Sequence, residues 1–203
     1  MRLTRAESKV ANKRALIDAA REIVGKEGAR ARLEDIADLA GLTTGAVYSL
    51  FGGKNGLMVA MVDDYVGPLD LQPIQDSEPG LTLEEVVAVI ARQYWQMSAD
   101  PEAAGQLLFE VRVMDLVLAD AELLAKLNAG INAAEVQLAA HLTGREHDGT
   151  PITREQAVRL ARALKALLSG LGQAVVLGVH GGSEQYFVDV TQALVTWQVL
   201  GPA

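Results

Sequence analysis

The sequence predicts an all-α protein, and its composition and patterning both support this fold class. Ala and Leu are abundant while aromatic residues make up only 4% of the chain. This composition favours helices, because such side chains lose little rotamer freedom when a helix forms. Apolar residues recur at helical spacing, and the alternation typical of a half-buried strand is absent. With 203 residues, half of them hydrophobic, the chain is long enough to bury a sizeable core.

Three helices are predicted near the N-terminus, each ended or begun by a recognisable residue. Thr4 and Glu7 are spaced as a capping box for the first helix, and Gly28 ends it. Gly41 ends the second helix and Thr43 caps the third. The expected ranges are about 5–26, 33–40 and 44–50, with a fourth helix beginning at about 54.

The remainder of the chain is predicted as a proline-containing loop over 67–80 followed by five helices, about nine in all. Two of the five begin at capping boxes, Thr82 with Glu85 and Thr153 with Gln156. The expected ranges are about 82–98, 101–118, 120–142, 153–179 and 183–200.

Charge divides the chain into a basic head and an acidic body. Residues 1–54 contain 10 Lys and Arg against 7 Asp and Glu, a net charge of +3. The other 149 residues contain 8 against 19, a net charge of −11, which together give the −8 of the whole chain. This asymmetry suggests an anionic partner at the N-terminal end.

The segment 32–51 has the pattern of a helix-turn-helix. Two short helices are joined by a glycine-containing turn, and small Ala37 and Gly41 allow the helices to cross closely. A plain helical hairpin would bury the same apolar residues, so the joint spacing decides between the two. Short polar groups on the second helix can approach base edges and phosphates in a major groove. The exposed residues of that helix are predicted to be Thr43, Thr44, Gly45, Tyr48 and Ser49.

The same segment resembles the TetR family of bacterial regulators in residue type and spacing, without an insertion. The matching positions are Asp35-Ile36-Ala37, Ala40-Gly41-Leu42, Gly45, Val47-Tyr48, Phe51, Lys54 and Leu57. The resemblance implies a DNA-binding domain over 1–54 and a helical ligand-binding and dimerisation domain over 55–203. The partners it implies are double-stranded DNA, a small-molecule effector and a second copy of the chain.

The resemblance also implies roles for individual residues. Thr43, Thr44 and Gly45 would meet DNA at the N-terminal end of the recognition helix. The hydroxyl of Tyr48 would donate to a phosphate, and Lys54 would hold a phosphate at the start of the fourth helix.

Arg32 and Thr44 depart from the family pattern, and the Gly52-Gly53 pair is looser than the usual turn. Arg32 occupies a place that usually carries Ser or Thr, so a side-chain cap of the second helix is lost or comes from elsewhere, and its charge is free to reach a phosphate. Thr44 lies where many relatives carry Lys. Because of these departures, the sequence leaves the operator undefined.

The last two predicted helices expose more apolar surface than one small domain needs to cover. The helix over 153–179 is apolar or small at nearly every position after Ala166, and a helix that is apolar all round must be buried. We therefore predict that these helices pair with a second copy as a four-helix bundle, a symmetry that suits a palindromic operator with recognition helices about 34 Å apart. The predicted interface residues are Leu171, Val175, Phe187, Leu194 and Trp197.

The middle helices are predicted to enclose a pocket for an apolar or aromatic small molecule. Trp95, Phe109 and Met114 are the candidate lining residues, with Arg112 or Gln106 to orient a polar group. The alternative is that these side chains only fill the core. A ligand that shifts the fourth helix would move the two heads apart and weaken DNA binding.

Several other classes find no support in the sequence. There is no cysteine, no secretory signal and no apolar stretch long enough to span a bilayer, so a cytoplasmic protein is expected. His141 and His147 match no metal motif and are assigned to a solvated loop. No catalytic set is recognisable, and neither enzyme activity nor a cofactor is predicted. A helical enzyme or ligand carrier with an incidental helix-turn-helix, and a DNA-binding activator, remain the alternatives.

Overall fold

The structure is a computed structural model that describes residues 4–65, 80–179 and 182–202. Within these ranges the chain forms ten α-helices and one hairpin of two short strands, each two residues long. This confirms the all-α fold with a helix-turn-helix near its N-terminus. The helices are α1 (Arg5–Glu27), α2 (Leu33–Leu39), α3 (Thr44–Phe51), α4 (Lys54–Tyr65), α5 (Leu83–Ala99), α6 (Ala103–Ala119), α7 (Ala121–Leu142), α8 (Arg154–Val176), α9 (Glu184–Gln192) and α10 (Trp197–Leu200). A 3₁₀ turn, Gly28–Arg30, links α1 to α2.

The predicted capping boxes are all formed. At the start of α1, the Glu7 N–H donates to the Thr4 hydroxyl at 3.2 Å, and the Thr4 N–H donates to the Glu7 carboxylate at 2.7 Å. Hydrogen bonding of the Glu7 carboxylate to the Thr4 backbone N–H, and then to the Thr4 side chain, lowers the pKa of Glu7. Thr82 with Glu85 and Thr153 with Gln156 begin α5 and α8 in the same way. Local hydrogen-bonding chemistry therefore sets these helix starts.

The chain divides into two compact units, of which the first comprises Met1–Gly67 and Leu108–Ile131. Its described core joins α1, α2, α3 and α4 to the parts of α6 and α7 that belong to this unit. Fully buried side chains at its centre are Leu16, Ile36, Val47, Leu57 and Met61. The compact unit therefore extends beyond residue 54, where the sequence placed the domain boundary, because α4 buries four of its side chains in this core. The functional division at 54 stays a prediction.

The second unit comprises Pro68–Leu107 and Asn132–Ala203. In its described part, α5 packs against both α9 and α8, and the core lies between these three helices. Leucines spaced three or four apart on α8 face this core, as an amphipathic helix requires. They are Leu160, Leu164, Leu168 and Leu171. None of the described helices is both long and apolar enough to span a membrane.

The C-terminal helix predicted over 183–200 is interrupted. Ser183 caps its first part as expected, by accepting from the Tyr186 N–H at 3.1 Å. The chain leaves the helix after Gln192, and Thr196 has extended backbone and caps a new four-residue helix through the Val199 N–H. A β-branched residue that can also cap favours such a restart. The break leaves Leu194 and Trp197 outside the helix that carries Phe187.

The loop predicted over 143–151 contains strands β1 (Glu146–His147) and β2 (Thr150–Pro151), paired antiparallel. The assignment of His147 to a solvated loop is wrong, since only 7% of the residue is exposed. Its Nδ1 contacts the Glu84 carboxylate, and its ring lies 4.9 Å from that of Trp197. Sequence spacing did not reveal this burial because Glu84 and Trp197 are both distant in the chain.

Candidate nucleic-acid interface

The turn between α2 and α3 is fixed by its backbone hydrogen bonds. Gly41 has a φ of +65°, the left-handed conformation that favours glycine. The Leu42 N–H donates to the Ala37 carbonyl at 2.9 Å and the Gly41 N–H to the Asp38 carbonyl at 3.0 Å. This pair of bonds is a Schellman motif, which ends α2 and sets the direction in which the chain enters α3.

Helix α3 has a buried side and a polar exposed side. Val47 is fully buried on the first side, with Leu42, Leu50 and Phe51 packed partly against the same core. Thr43 caps the helix, because its hydroxyl accepts from the Ala46 N–H at 3.3 Å. Of the residues predicted to meet DNA, Thr43, Gly45, Tyr48 and Ser49 are exposed and Thr44 is half-buried.

Residues 16–61 match the family model described as bacterial regulatory proteins of the tetR family. The chain carries a TetR-family helix-turn-helix domain. The resemblance inferred from the spacing of 32–57 is thereby confirmed. No curated protein matches the chain.

The whole chain has the fold of solved TetR-family proteins. A TetR-like transcriptional regulator from Rhodococcus sp. RHA1 is 17% identical with a TM-score of 0.58, covering 99% of this chain and 100% of that one. Salmonella enterica GusR is 15% identical with a TM-score of 0.66, covering 98% of each chain. The multidrug binding protein EbrR, solved with malachite green, is 21% identical with a TM-score of 0.65, covering 91% of this chain and 98% of that one.

Tyr48, on helix α3 of this TetR-family domain, is 61% exposed, and its ring lies over Gly53. A Cβ on Gly53 would lie 3.3 Å from Cε1 of the tyrosine ring, closer than such contacts normally are, and the φ of Gly53 is +133°. Gly53 therefore allows the ring to lie against the start of α4. A hydroxyl held in this way is suited to bind a phosphate, as predicted for Tyr48.

Gly56 is a second glycine whose role the sequence did not reveal. A Cβ added there would overlap the carbonyl oxygen of Phe51, a backbone atom that cannot turn away. Only glycine allows α4 to pack this closely against the end of α3. No pattern within the sequence signals this requirement, because Gly56 has an ordinary negative φ.

Lys54 is only partly available for the phosphate contact predicted for it. Its side chain is half-buried, and Nζ donates to the Ala31 carbonyl at 2.5 Å. The ammonium thus ties the start of α4 to the segment before α2 and keeps two further donors. Its role toward phosphate stays a prediction.

Arg32 is at the N-cap position of α2, and its side chain makes no capping bond. The loss of a cap inferred from the sequence is therefore seen in the structure. Glu34 and Asp35 in the first turn favour this helix end instead, since carboxylates interact favourably with the positive end of the helix dipole. Arg32 is exposed and lies 3.8 Å from the Glu34 carboxylate, a long and weak pair that leaves the guanidinium accessible.

The predicted effector-binding residues do not all share one environment. Phe109 is buried in the first unit, edge-on to Tyr65 at 5.6 Å and beneath the Arg21 guanidinium at 5.2 Å. Arg112 packs against the backbone of Gly28, and its buried Nε has no hydrogen-bond partner among the described residues.

Two further members of that set are placed differently. Met114 is 46% exposed, so in one copy of the chain it does not line an enclosed cavity. Trp95 belongs to the second unit, where its indole N–H donates to the Gly182 carbonyl at 2.8 Å. The effector site as a set of four residues stays a prediction.

A surface cleft of about 430 Å³ lies in the second unit, between the start of α5 and the β1–β2 hairpin. It contains none of the predicted effector-binding residues. Its arginine, Arg145, donates to the carbonyls of Leu81 and His141, at 3.0 and 3.3 Å, so its hydrogen bonds serve the fold. The cleft gives no independent support for an effector site.

The residues predicted to form the dimer interface also differ in how exposed they are. Phe187 is fully buried within its own chain and Leu171 is 8% exposed, so neither offers much surface to a second copy. The choice of Phe187 was wrong because α5 and α8 of the same chain already cover that stripe of α9. Val175 and Leu194 are half-buried, and Trp197 is 40% exposed.

Proposed function

We propose that this chain is a ligand-responsive transcriptional repressor that binds a palindromic operator as a homodimer. The observation that carries the proposal is the geometry of α2, the Schellman turn and α3, which leaves Thr43, Gly45 and Ser49 exposed beside a buried Val47. An α-helix with short polar side chains at its N-terminal end fits a major groove and reaches base edges there.

Homodimer formation is supported by apolar and small residues that one copy leaves uncovered. On α8, the side opposite the buried leucines carries the exposed residues Ala166, Ser169, Gly170 and Gln173. Beyond it, Leu177 and Val179 are 67% and 70% exposed. Exposed large apolar residues such as Leu177 and Val179 favour an interaction site, and the small residues of α8 permit close approach of a partner helix.

Release of the operator by a small apolar or aromatic molecule is the third part of the proposal. Phe109 and Arg112 lie on α6, where Phe109 packs against Gly25 of α1 and Arg112 against Gly28 just beyond it, so a ligand that rearranges them would act on the head directly. A neighbour in fold, EbrR, was solved with malachite green bound, which supports a small molecule as effector.

The experiment that tests the DNA-binding part is selection of bound duplexes from a random pool. We expect a two-fold symmetric consensus with half-sites one helical turn apart, about 34 Å, because a symmetric dimer presents two identical recognition helices. An asymmetric consensus, or none above background, would contradict the proposal.

The effector part is tested by linkage. Compounds that raise the melting temperature of the protein are titrated with and without operator DNA. Operator should weaken binding of a true effector by the same factor by which the effector weakens operator binding. Equal ligand affinity in both titrations would remove ligand-controlled release from the proposal.

The repressor role is tested by a reporter gene under the operator. Reporter expression that falls when the protein is removed would identify an activator.

A further inference from the structure

Helix α1 carries a stripe of basic residues that form no ion pair with any described carboxylate. Arg5, Lys9 and Lys13 follow one another at four-residue spacing, which places them on one face of the helix. All three are exposed. In the part of the chain that the structure describes, no carboxylate lies within 4.0 Å of their charged groups.

A second set of charges on the same helix is neutralised. Lys26 pairs with Glu22 at 2.6 Å, and Arg14 pairs with Asp18 at 2.7 Å and also with Asp64 of α4. The hydrogen bond to Asp18 and the charge of Asp64 raise the pKa of Arg14. The cations of this second set therefore stabilise helix α1 and its packing on α4. Those of the first set take part in no ion pair among the described residues.

The unpaired basic stripe is held in place at both ends. Its first residue follows directly on the capping box of Thr4 and Glu7, so helical structure extends to Arg5. At the other end, Nζ of Lys13 lies 5.5 Å from the ring centroid of Phe51, the last residue of the recognition helix α3. The stripe thus runs about 12 Å along α1, at about 1.5 Å per residue, and ends beside α3.

We propose that the stripe of Arg5, Lys9 and Lys13 is a second DNA contact, which binds the phosphate backbone of the duplex while α3 occupies the groove. The inference rests on the proposed function. A duplex carries about one negative charge per 1.7 Å of its axis, so a 12 Å row of cations meets several phosphates. Because phosphates are the same at every base pair, this contact adds affinity without adding sequence preference.

The test compares Lys9→Gln with Lys26→Gln, two variants that each remove one positive charge from the same helix. Binding of a random-sequence duplex is measured between about 50 and 200 mM salt, a range over which phosphate contacts change affinity strongly. Each phosphate contact contributes about 0.9 to the slope of log K against log salt. We expect the magnitude of the slope to fall by about that amount in Lys9→Gln and by about twice as much in the double variant Arg5→Gln, Lys9→Gln. The slope of Lys26→Gln should remain at the wild-type value.

The outcomes separate this inference from the proposed function. Equal slopes for Lys9→Gln, Lys26→Gln and the wild type would overturn the stripe as a DNA contact and leave operator binding by α3 intact. A wild-type slope near zero would instead refute DNA binding itself. Because Lys9 is exposed, Lys9→Gln should leave the melting temperature unchanged, and that result would show that the variant reports on binding rather than folding.

Discussion

The helix-turn-helix and the C-terminal half of α8 both use small residues, but they differ in what covers them. In the helix-turn-helix, Ala37 is buried under neighbouring helices of the same chain, and the turn at Gly41 is closed by its own backbone. On α8, Ala166 and Gly170 are exposed, and among the described residues no side chain or neighbouring element lies within 4 Å of a Cβ placed on Gly170. The small residues of the first region are packed within one copy, whereas those of the second are exposed and have the features of an interface with a partner.

The largest effect is expected at Gly56, which tests the claim that the head is closely packed within one copy. Gly56→Ala places a methyl group on the Phe51 carbonyl, and relieving that overlap requires backbone movement. Overpacking of this kind costs about 3 kcal/mol. We expect a lower melting temperature and loss of DNA binding, measured by thermal unfolding and by gel shift. An unchanged melting temperature would show that α4 does not pack on α3 in this way.

The next effect is expected at Gly170, which tests whether a second copy covers α8. Gly170 is exposed and a Cβ there meets no other element in the described part of the chain, so one copy should tolerate Gly170→Arg, while a close helix–helix interface should not. We expect the dissociation constant of the dimer to rise about 100-fold or more, which corresponds to a loss of about 2.7 kcal/mol of binding free energy. The measurement is sedimentation equilibrium over a range of concentrations.

Gly105→Arg is the matched control, because Gly105 is also an exposed helical glycine with nothing within 4 Å of its Cβ. It lies on α6, a different helix from the one that carries Gly170. If both variants sediment as the wild type does, the interface on α8 is refuted. If both dissociate, the interface includes α6 and must be redrawn.

A smaller effect is expected at Gly45, on the exposed side of α3. A Cβ there is 3.6 Å from the Thr43 hydroxyl, an ordinary contact, and alanine favours helix over glycine by about 0.5–1 kcal/mol. Gly45→Ala should therefore raise the melting temperature slightly while lowering operator affinity about tenfold, since the added methyl faces the groove. Unfolding and operator titration of the same preparation measure both. Unchanged affinity would show that Gly45 does not approach DNA.

The smallest effect is expected at Lys165 on α8. Burial lowers the pKa of this lysine, and the charge of Glu135 only partly opposes that shift. A lysine whose pKa is lowered on folding destabilises the fold while it is charged, and this cost disappears as pH rises through the lowered pKa toward the ordinary value of 10.5. Lys165→Met should thus be slightly more stable than the wild type at neutral pH, and the difference should vanish at alkaline pH. A less stable variant at neutral pH would mean that attraction to Glu135 outweighs burial.

Local features of the fold could be predicted from the sequence, and long-range ones could not. Capping boxes, the turn at Gly41 and the exposed side of α3 depend on residues within a few positions of one another. By contrast, the burial of His147 depends on Glu84 and Trp197, which are both distant from it in the chain. Phe187 was assigned to the wrong surface for the same reason, because an apolar stripe does not reveal whether its own chain or a partner covers it.

The unpaired stripe of Arg5, Lys9 and Lys13 lay within the region whose net positive charge the sequence had already indicated. Net charge alone did not distinguish these cations from Arg14 and Lys26, because only the structure shows which carboxylates are within reach. The distribution of ion pairs, rather than the number of charges, therefore identifies the candidate DNA-binding face of α1.

The two regions act together in the proposed dimer, in which two copies paired through α8 present two recognition helices to one operator. The most direct test is the mass of the complex formed on a selected operator duplex, measured by sedimentation with protein in excess. We predict two copies per duplex for the wild type and cooperative loss of that complex in Gly170→Arg. One copy per duplex, or a two-copy complex that Gly170→Arg leaves intact, would contradict the account.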